Sequence, residues 1–200
     1  MNKTIYLTRH GQSENNVKGI IGGDSNLTSK GIEYAKKLGL FLKNENLSNI
    51  NLWTSTKIRT NQTLNHAIDN MNSYNLRNKH KIFKNLDEIN AGIYEEMTYE
   101  QIKEKYPEEY KSRQNNKLQY RYLNGESYLD LIDRLEPIIN ELNNTIDPVV
   151  VISHNAIIRV LVSYYKNISR EEMPFIEIPL HTVIKIKYNN GKYNVEFIKI

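Results

Sequence analysis

Hydrophobic positions along the chain alternate between two periods. Over residues 3–8, Ile5 and Leu7 alternate with polar neighbours, the period-2 pattern of a strand. Over residues 31–44, Ile32, Ala35, Leu38 and Leu42 share one helical face, with Thr28 placed to cap the helix shortly before it. Residues 51–54 read as a short strand, and Ser55 introduces a helix from about residue 57 to 71. Residues 72–84 are irregular and basic, a surface loop with a short strand near its end. A helix follows over 98–106, and Pro107 with Glu108 and Glu109 opens another. Over 127–145, Leu131, Leu135, Ile138 and Leu142 recur on one face, and Pro137 predicts a kink in the middle. The run Val149-Val150-Val151-Ile152 is the mark of a strand buried on both faces, and a helix over about 155–165 follows it. Residues 182–188 and 193–200 flank Asn189-Asn190-Gly191, a hairpin signal. Strands alternating with helices, a buried parallel strand and a terminal hairpin predict a three-layer α/β/α sandwich on a mostly parallel mixed sheet.

At 200 residues the chain fits one domain, and no repeat or low-complexity linker divides it. The absence of cysteine excludes disulfides, thiolate metal sites and cysteine nucleophiles together. No apolar run approaches the roughly 20 residues of a membrane span, and the expected compartment is the cytoplasm, with no membrane partner. With 27 basic against 23 acidic residues the formal charge is +4. That bias is too weak to indicate nucleic acid, and no basic stripe with interleaved aromatics appears, so no nucleic-acid partner is expected. An anionic small molecule explains the excess equally well if the basic residues converge.

Two histidines occupy equivalent positions. His10 directly follows the first strand, and His154 follows the buried strand. Ligands of open α/β sheets collect at the carboxyl ends of strands. If these two strands are neighbours, their ends lie about 4.8 Å apart and the imidazoles face one small group. Arg9 adjoins His10, and Gly11 lets the backbone turn closely beneath a ligand. Arg59, in the first turn of the helix after residues 51–54, can point to the same place. Arginine forks match phosphate oxygens, so phosphate is the natural guest. A phosphatase also needs an acid for the leaving oxygen. Asp87 and Glu88 are both available, and spacing alone does not choose between them. No tight carboxylate–histidine cluster argues for a metal, and no cofactor is expected.

The segment Arg9-His10-Gly11-Gln12-Ser13-Glu14-Asn15-Asn16, followed in order by Ser55…Arg59-Thr60-Asn61-Gln62-Thr63, Glu88 and Ile152-Ser153-His154-Asn155, resembles the histidine phosphatase superfamily, which includes phosphoglycerate mutases. Further runs tighten the resemblance to its fructose-2,6-bisphosphatase domain: Gly22-Gly23-Asp24-Ser25, Glu95-Glu96-Met97-Thr98-Tyr99, Tyr120-Arg121-Tyr122, Gly125-Glu126-Ser127-Tyr128, Arg134-Leu135-Glu136-Pro137 and Pro179-Leu180-His181-Thr182-Val183. The similarity covers nearly the whole chain and weakens over about 65–84.

The resemblance implies a phosphoglycerate mutase-like fold and a set of roles. His10 is the nucleophile that becomes phosphorylated. Arg9, Asn16, Arg59 and His154 hold and polarise the transferred phosphoryl group, and Glu88, rather than Asp87, is the acid and then the base. Gly22, Tyr99, Arg113, Lys117, Tyr128, Asn155 and Arg159 match positions that hold the sugar and its second phosphate. Asn155 stands where this domain typically has glutamine, one methylene longer, which predicts a weaker contact with catalysis retained. His66, His80 and His181 are read as structural.

The implied reaction is hydrolysis of the 2-phosphate of fructose 2,6-bisphosphate through a phosphohistidine. That domain is usually fused behind a kinase. The chain has no Gly-x-x-x-x-Gly-Lys-Ser/Thr loop, so the expectation is a single phosphatase domain over 1–200 with no kinase domain. The competing readings are a broad-specificity sugar-phosphate phosphatase and a catalytically silent phospholigand-binding module. Arg113, Lys117 and Arg159 argue against the first, because a monophosphate leaves them without a partner. Retention of His10, Glu88, Arg9, Arg59 and His154 argues against the second.

Overall fold

The computed structural model describes residues 3–47, 49–71 and 74–200. In chain order the elements are β1 (Lys3–Arg9), α1 (Glu14–Lys18), α2 (Ser29–Asn44), β2 (Asn51–Thr54), α3 (Ile58–Met71), β3 (His80–Ile82), α4 (Tyr99–Lys105), α5 (Pro107–Asn115), α6 (Tyr128–Asn144), β4 (Val149–Ser153), α7 (Asn155–Lys166), β5 (Thr182–Asn189) and β6 (Lys192–Lys199). The six strands form one sheet in the order β3-β2-β4-β1-β5-β6. The first four in that order run parallel, and β5 and β6 add antiparallel at the β1 edge.

The alternation of side chains along each strand builds the three layers. Ile5, Leu7, Trp53, Val149 and Val151 face one core with α6 and α7. Tyr6, Leu52, Val150 and Ile152 face the other, with Tyr34, Leu38 and Leu42 of α2 and Leu64 and Ile68 of α3. All five residues of β4 are buried, as the β-branched run predicts. A third, smaller cluster of Ala91, Tyr94, Ile102 and Tyr122 packs α4 and the loops around it.

The elements follow from local chemistry. Thr28 caps α2, its side chain accepting from the Gly31 N–H. The buried face of α2 is Gly31, Tyr34, Ala35, Leu38, Gly39 and Leu42, so Tyr34 belongs to it and Ile32 stays at its margin. Pro107 begins α5 at a position where a missing N–H costs nothing. Helix α6 runs through Pro137 as one 17-residue element. The short α1, closed by a Ser13–Asn16 capping box, was not legible in the hydrophobic pattern because it buries no residue. The basic stretch holds a 3-10 turn, Tyr74–Lys79, before β3, while Asn72 and Ser73 lie outside the described residues. His66 lies within α3, and His80 Nε2 meets Thr54 Oγ1 at 2.7 Å.

Gly11 departs from its expected role. A Cβ there would meet the Gly31 carbonyl oxygen at 2.4 Å, so this glycine admits the start of α2 against the loop after β1. Its φ is not positive, and no special turn is required.

Helices α2 and α3 cross closely at Gly39, where a Cβ would lie 2.3 Å from the Ala67 carbonyl oxygen. Gly39→Ala therefore destabilises the protein by about 1–3 kcal/mol through overpacking, although alanine favours helix. Urea denaturation measures this, and an unchanged or raised midpoint contradicts the close approach.

Candidate active site

Strands β1 and β4 are parallel neighbours with Arg9 opposite Ser153, so the residues that follow them emerge side by side. The His10 N–H extends the ladder to the Ser153 carbonyl at 3.0 Å. The two imidazole rings stand edge to face with centroids 5.2 Å apart, both almost completely buried.

Arg59, also buried, joins them. Its Nε–H donates to His10 Nε2 at 3.1 Å, and Nη2 reaches His154 Nδ1 at 3.2 Å. Nη1 donates to the Gly23 carbonyl at 2.9 Å and lies 3.6 Å from Asp24. Since guanidinium only donates, both of these ring nitrogens are acceptors. The remaining nitrogens therefore carry the protons. His10 Nδ1–H donates to its neighbour's carbonyl, Gly11 O, at 2.7 Å. His154 Nε2–H donates to Ser55 Oγ at 2.8 Å. Ser55 Oγ lies 2.9 Å from Thr60 Oγ1, which donates to the Lys57 carbonyl at 2.8 Å. Burial, then the Arg59 charge, push His10 down to about 3, with the Gly11 carbonyl opposing and Arg9 adding to the shift. The same causes, with His10 itself, hold His154 well below the ordinary histidine range. His10 thus presents a neutral Nε2 lone pair.

Glu88 lies across from the histidines and caps α7 from a distant loop. Its Oε2 accepts from the Asn155 N–H at 3.1 Å, and Oε1 from Ala156 at 3.2 Å and Ile89 at 3.0 Å. His154 is the N-cap residue but makes no side-chain cap bond, so the carboxylate fills that office. Asp87 is separated from it by its own partner: its carboxylate accepts from the Thr56 N–H and hydroxyl, each at 2.8 Å. Asp87 does not line the cavity that contains His10, and Glu88 does. Arg134 of α6 fixes this loop by donating to the carbonyls of Asn85 and Asp87, at 2.8 and 3.0 Å.

That cavity, of about 310 Å³, brings together every site residue expected from the sequence except His154, which stands behind Arg59 with no exposed surface. Arg9, His10, Asn16, Gly22, Arg59, Glu88, Tyr99, Arg113, Lys117, Tyr128, Asn155 and Arg159 all line it. Asn16 Oδ1 is taken by the Ser13 N–H, part of the α1 capping box. Gly22 has φ +66°, and a Cβ there would strike the Glu95 carboxylate, which accepts from the Gly23 and Ala91 N–H groups. Asn155 Oδ1 is buried without a hydrogen-bond partner.

Sequence reasoning missed Tyr122, Ser55 and Arg134 as parts of the site. Tyr122 accepts from Arg113 Nε at 2.6 Å, while Arg113 Nη2 donates to Tyr99 at 3.0 Å and its guanidinium stacks 4.9 Å from the Tyr99 ring. Tyr122 belongs to the run Tyr120-Arg121-Tyr122, but its link to Arg113 bridges a loop and its role is not legible in that run. His181 belongs to a different neighbourhood, stacked on Tyr34 at 4.7 Å. Among the described residues no group of three or more His, Asp or Glu is arranged to hold a metal ion, and no helix is long and apolar enough to cross a membrane.

The cavity holds five cations, Arg9, Arg59, Arg113, Lys117 and Arg159, against one carboxylate, Glu88. A three-layer sandwich with two neutral imidazoles at adjacent strand ends, ringed by arginines, defines the class of phosphate-handling proteins built on paired histidines. Residues 5–200 match the description "Histidine phosphatase superfamily (branch 1)", and the chain belongs to that superfamily. It is 46% identical over 92% of its length to 6-phosphofructo-2-kinase/fructose-2,6-bisphosphatase 3 of Homo sapiens, covering 34% of that protein. It is also 46% identical over 92% of its length to fructose-2,6-bisphosphatase of Saccharomyces cerevisiae, covering 39% of it. The chain thus spans about a third of the length of these curated relatives. Among solved structures, the alpha-ribazole phosphatase of Shigella flexneri shares the fold, with a TM-score of 0.85 at 20% identity over 98% of this chain and 96% of that one.

His10 and His154 stay neutral between about pH 5 and 8, although an isolated histidine titrates near 6.5. Proton–nitrogen NMR of the ring signals checks both the charge and the assigned tautomers, Nδ1–H for His10 and Nε2–H for His154. A titration of either ring near 6.5 contradicts the Arg59 bridge.

Proposed function

We propose that residues 1–200 act as one phosphatase domain that removes the 2-phosphate of fructose 2,6-bisphosphate through a phosphohistidine. The carrying observation is that three of the cavity's five cations lie beyond the histidine pair and have only neutral partners. Arg113 donates to tyrosine hydroxyls, Lys117 to the Pro174 carbonyl at 2.8 Å, and Arg159 to the Ile176 carbonyl at 2.7 Å and the Tyr128 hydroxyl at 3.0 Å. Cations paired with carboxylates would have spent their charge, whereas these keep theirs for a second anionic group. The names of the relatives supply the sugar bisphosphate that fits two anion subsites. The cytoplasm is the compartment we assign, a reading that rests on relatives named for sugar-bisphosphate metabolism.

In the first step His10 Nε2 attacks the 2-phosphoryl phosphorus, and the bond from phosphorus to the sugar oxygen breaks. Attack requires the Arg59 Nε–H to leave His10 Nε2, and the phosphoryl oxygens offer it a charged acceptor instead. Arg9, Arg59 and Asn16 meet the charge on those oxygens, which is ordinarily the largest catalytic contribution. His154 presents a lone pair toward Arg59, so it becomes a donor only on protonation, which the incoming dianion favours. Glu88 in its protonated form gives a proton to the departing sugar oxygen. Water then attacks phosphorus, Glu88 takes its proton, the N–P bond breaks, and phosphate leaves with His10 neutral again.

Phosphate release from fructose 2,6-bisphosphate, fructose 1,6-bisphosphate, fructose 6-phosphate and phosphoglycerates, measured side by side, tests the reading. A flat profile would favour a broad phosphatase. His10→Ala abolishes turnover, and Glu88→Gln lowers kcat by about 10²–10⁴-fold with little change in binding; full activity in the His10→Ala protein ends the phosphohistidine mechanism.

The second subsite has its own signature. Arg113→Ala raises KM for a bisphosphate by about 10- to 100-fold, the cost of a lost charged hydrogen bond, with a much smaller effect on a monophosphate. Burial, then Arg159 and Arg113, push the Lys117 ammonium down to about 8. Its charge is present below that pH and lost above it, so KM for the bisphosphate climbs between about pH 7 and 9 while kcat holds. Lys117→Met removes this inflection, and its persistence would assign the titration elsewhere.

A further inference from the structure

Three of the cavity cations come from three unrelated places: Arg9 from the end of β1, Lys117 from the loop after α5, and Arg159 from α7. All three are held by one short piece of backbone. The carbonyls of Pro174, Ile176 and Ile178 accept from Lys117 Nζ at 2.8 Å, Arg159 Nε at 2.7 Å and Arg9 Nη1 at 3.0 Å. Residues 174, 176 and 178 alternate with the exposed Phe175 and Glu177, and after the 3-10 turn Met173–Phe175 the chain runs on without helix or strand. The piece is anchored in the core by Met173 and Ile178, both buried, with Ile176 packed against the same cluster.

We propose that residues 174–178 form a carbonyl strap that positions the cations of the cavity and thereby sets its preference for a doubly anionic substrate. This rests on the bisphosphate reading above and names the element that makes it selective. Like charges gathered in one cavity repel and would splay toward solvent. A carboxylate could hold them in place but would cancel the charge the substrate needs. A carbonyl oxygen supplies an acceptor of partial charge, so each cation gives up one N–H and keeps its net charge. Three acceptors on one core-anchored segment also fix the spacing between the group held near the histidines (Arg9) and the group held beyond them (Lys117, Arg159). The strap residues are therefore positioning residues, acting through the cations that their backbone carbonyls hold. Misplacement of such groups by an ångström is enough to weaken binding strongly.

The test compares KM for fructose 2,6-bisphosphate and for phenyl phosphate in the wild-type protein and in strap variants whose folding is verified by thermal melting. Ile176→Gly keeps the carbonyl but frees the backbone. A glycine inserted between the exposed Phe175 and Ile176 shifts the register and serves if Ile176→Gly does not fold. Each raises KM for the bisphosphate by about 10- to 100-fold relative to KM for phenyl phosphate, and Ile176→Val preserves the wild-type ratio. A merely structural role lowers the melting temperature without moving that ratio. A wild-type protein that shows no preference between the two substrates overturns the bisphosphate reading and the strap with it. A wild-type preference that the folded variants retain, or that Ile176→Val loses as fully as Ile176→Gly, overturns the strap alone.

Discussion

Arg59 holds two imidazoles in one charge state at once. Each ring turns an unprotonated nitrogen inward, where no water is needed to satisfy it, because one guanidinium donates to both. Without that donor, two buried lone pairs would face each other unpaired, at a cost of about 1–3 kcal/mol each. The arrangement depends on much of the fold. Adjacent parallel strands must end in register, α3 must start close enough for its second residue to reach them, and the loop carrying Gly23 and Asp24 must close over the outer nitrogen. The hydroxyl chain from Ser55 through Thr60 then fixes the far side of His154. Arg59 is thus held in place by the two rings, and a phosphoryl group need only draw its N–H groups from neutral nitrogens to charged oxygens.

The outer half of the cavity uses the opposite device. Around the histidines, burial and then charge suppress protonation; around Arg113, Lys117 and Arg159, the acceptors are neutral and cancel no charge. Tyrosine hydroxyls and backbone carbonyls hold the three side chains without neutralising them. Burial loosens the Lys117 proton first, and the mutual repulsion with Arg159 and Arg113 adds to that. A bound anion relieves that repulsion, so selectivity for charge follows from leaving the cations unpaired. The whole-chain excess of +4 equals the five cations less the one carboxylate of this cavity, and the remaining surface charges balance.

How far the sequence could be read follows from what kind of signal each part leaves. The β-branched run at 149–152, the helical faces and the Asn-Asn-Gly turn depend on local pattern, and the structure has all of them. His10 and His154 were recognisable because strand ends can be located by pattern and the strands proved to be neighbours. The choice of Glu88 over Asp87 was not open to spacing, because it depends on Arg134, 46 residues beyond Glu88, gripping the carbonyls of that loop. Gly11 was misread because the partner that needs its missing side chain is Gly31, across a turn of chain. Backbone acceptors leave no residue-type signature at all, so the carbonyls at 174, 176 and 178 cannot be read from the sequence. Side-chain chemistry is legible in sequence, and the backbone that orients it is not.

Glu88 shows why stability and reactivity are joined here. A buried helix start without a capping side chain leaves N–H groups unpaired, and the usual remedy is a residue at the N-cap itself. That position in α7 is occupied by His154, whose ring nitrogens are both committed elsewhere. The cap must then come from outside the helix, and the loop at 84–88 supplies a carboxylate that also faces the cavity. The group that completes the helix is therefore the one proposed to exchange protons with the substrate. The helix N–H groups and the carboxylate hold each other in place, so the cap that steadies α7 also fixes the side chain that faces the cavity.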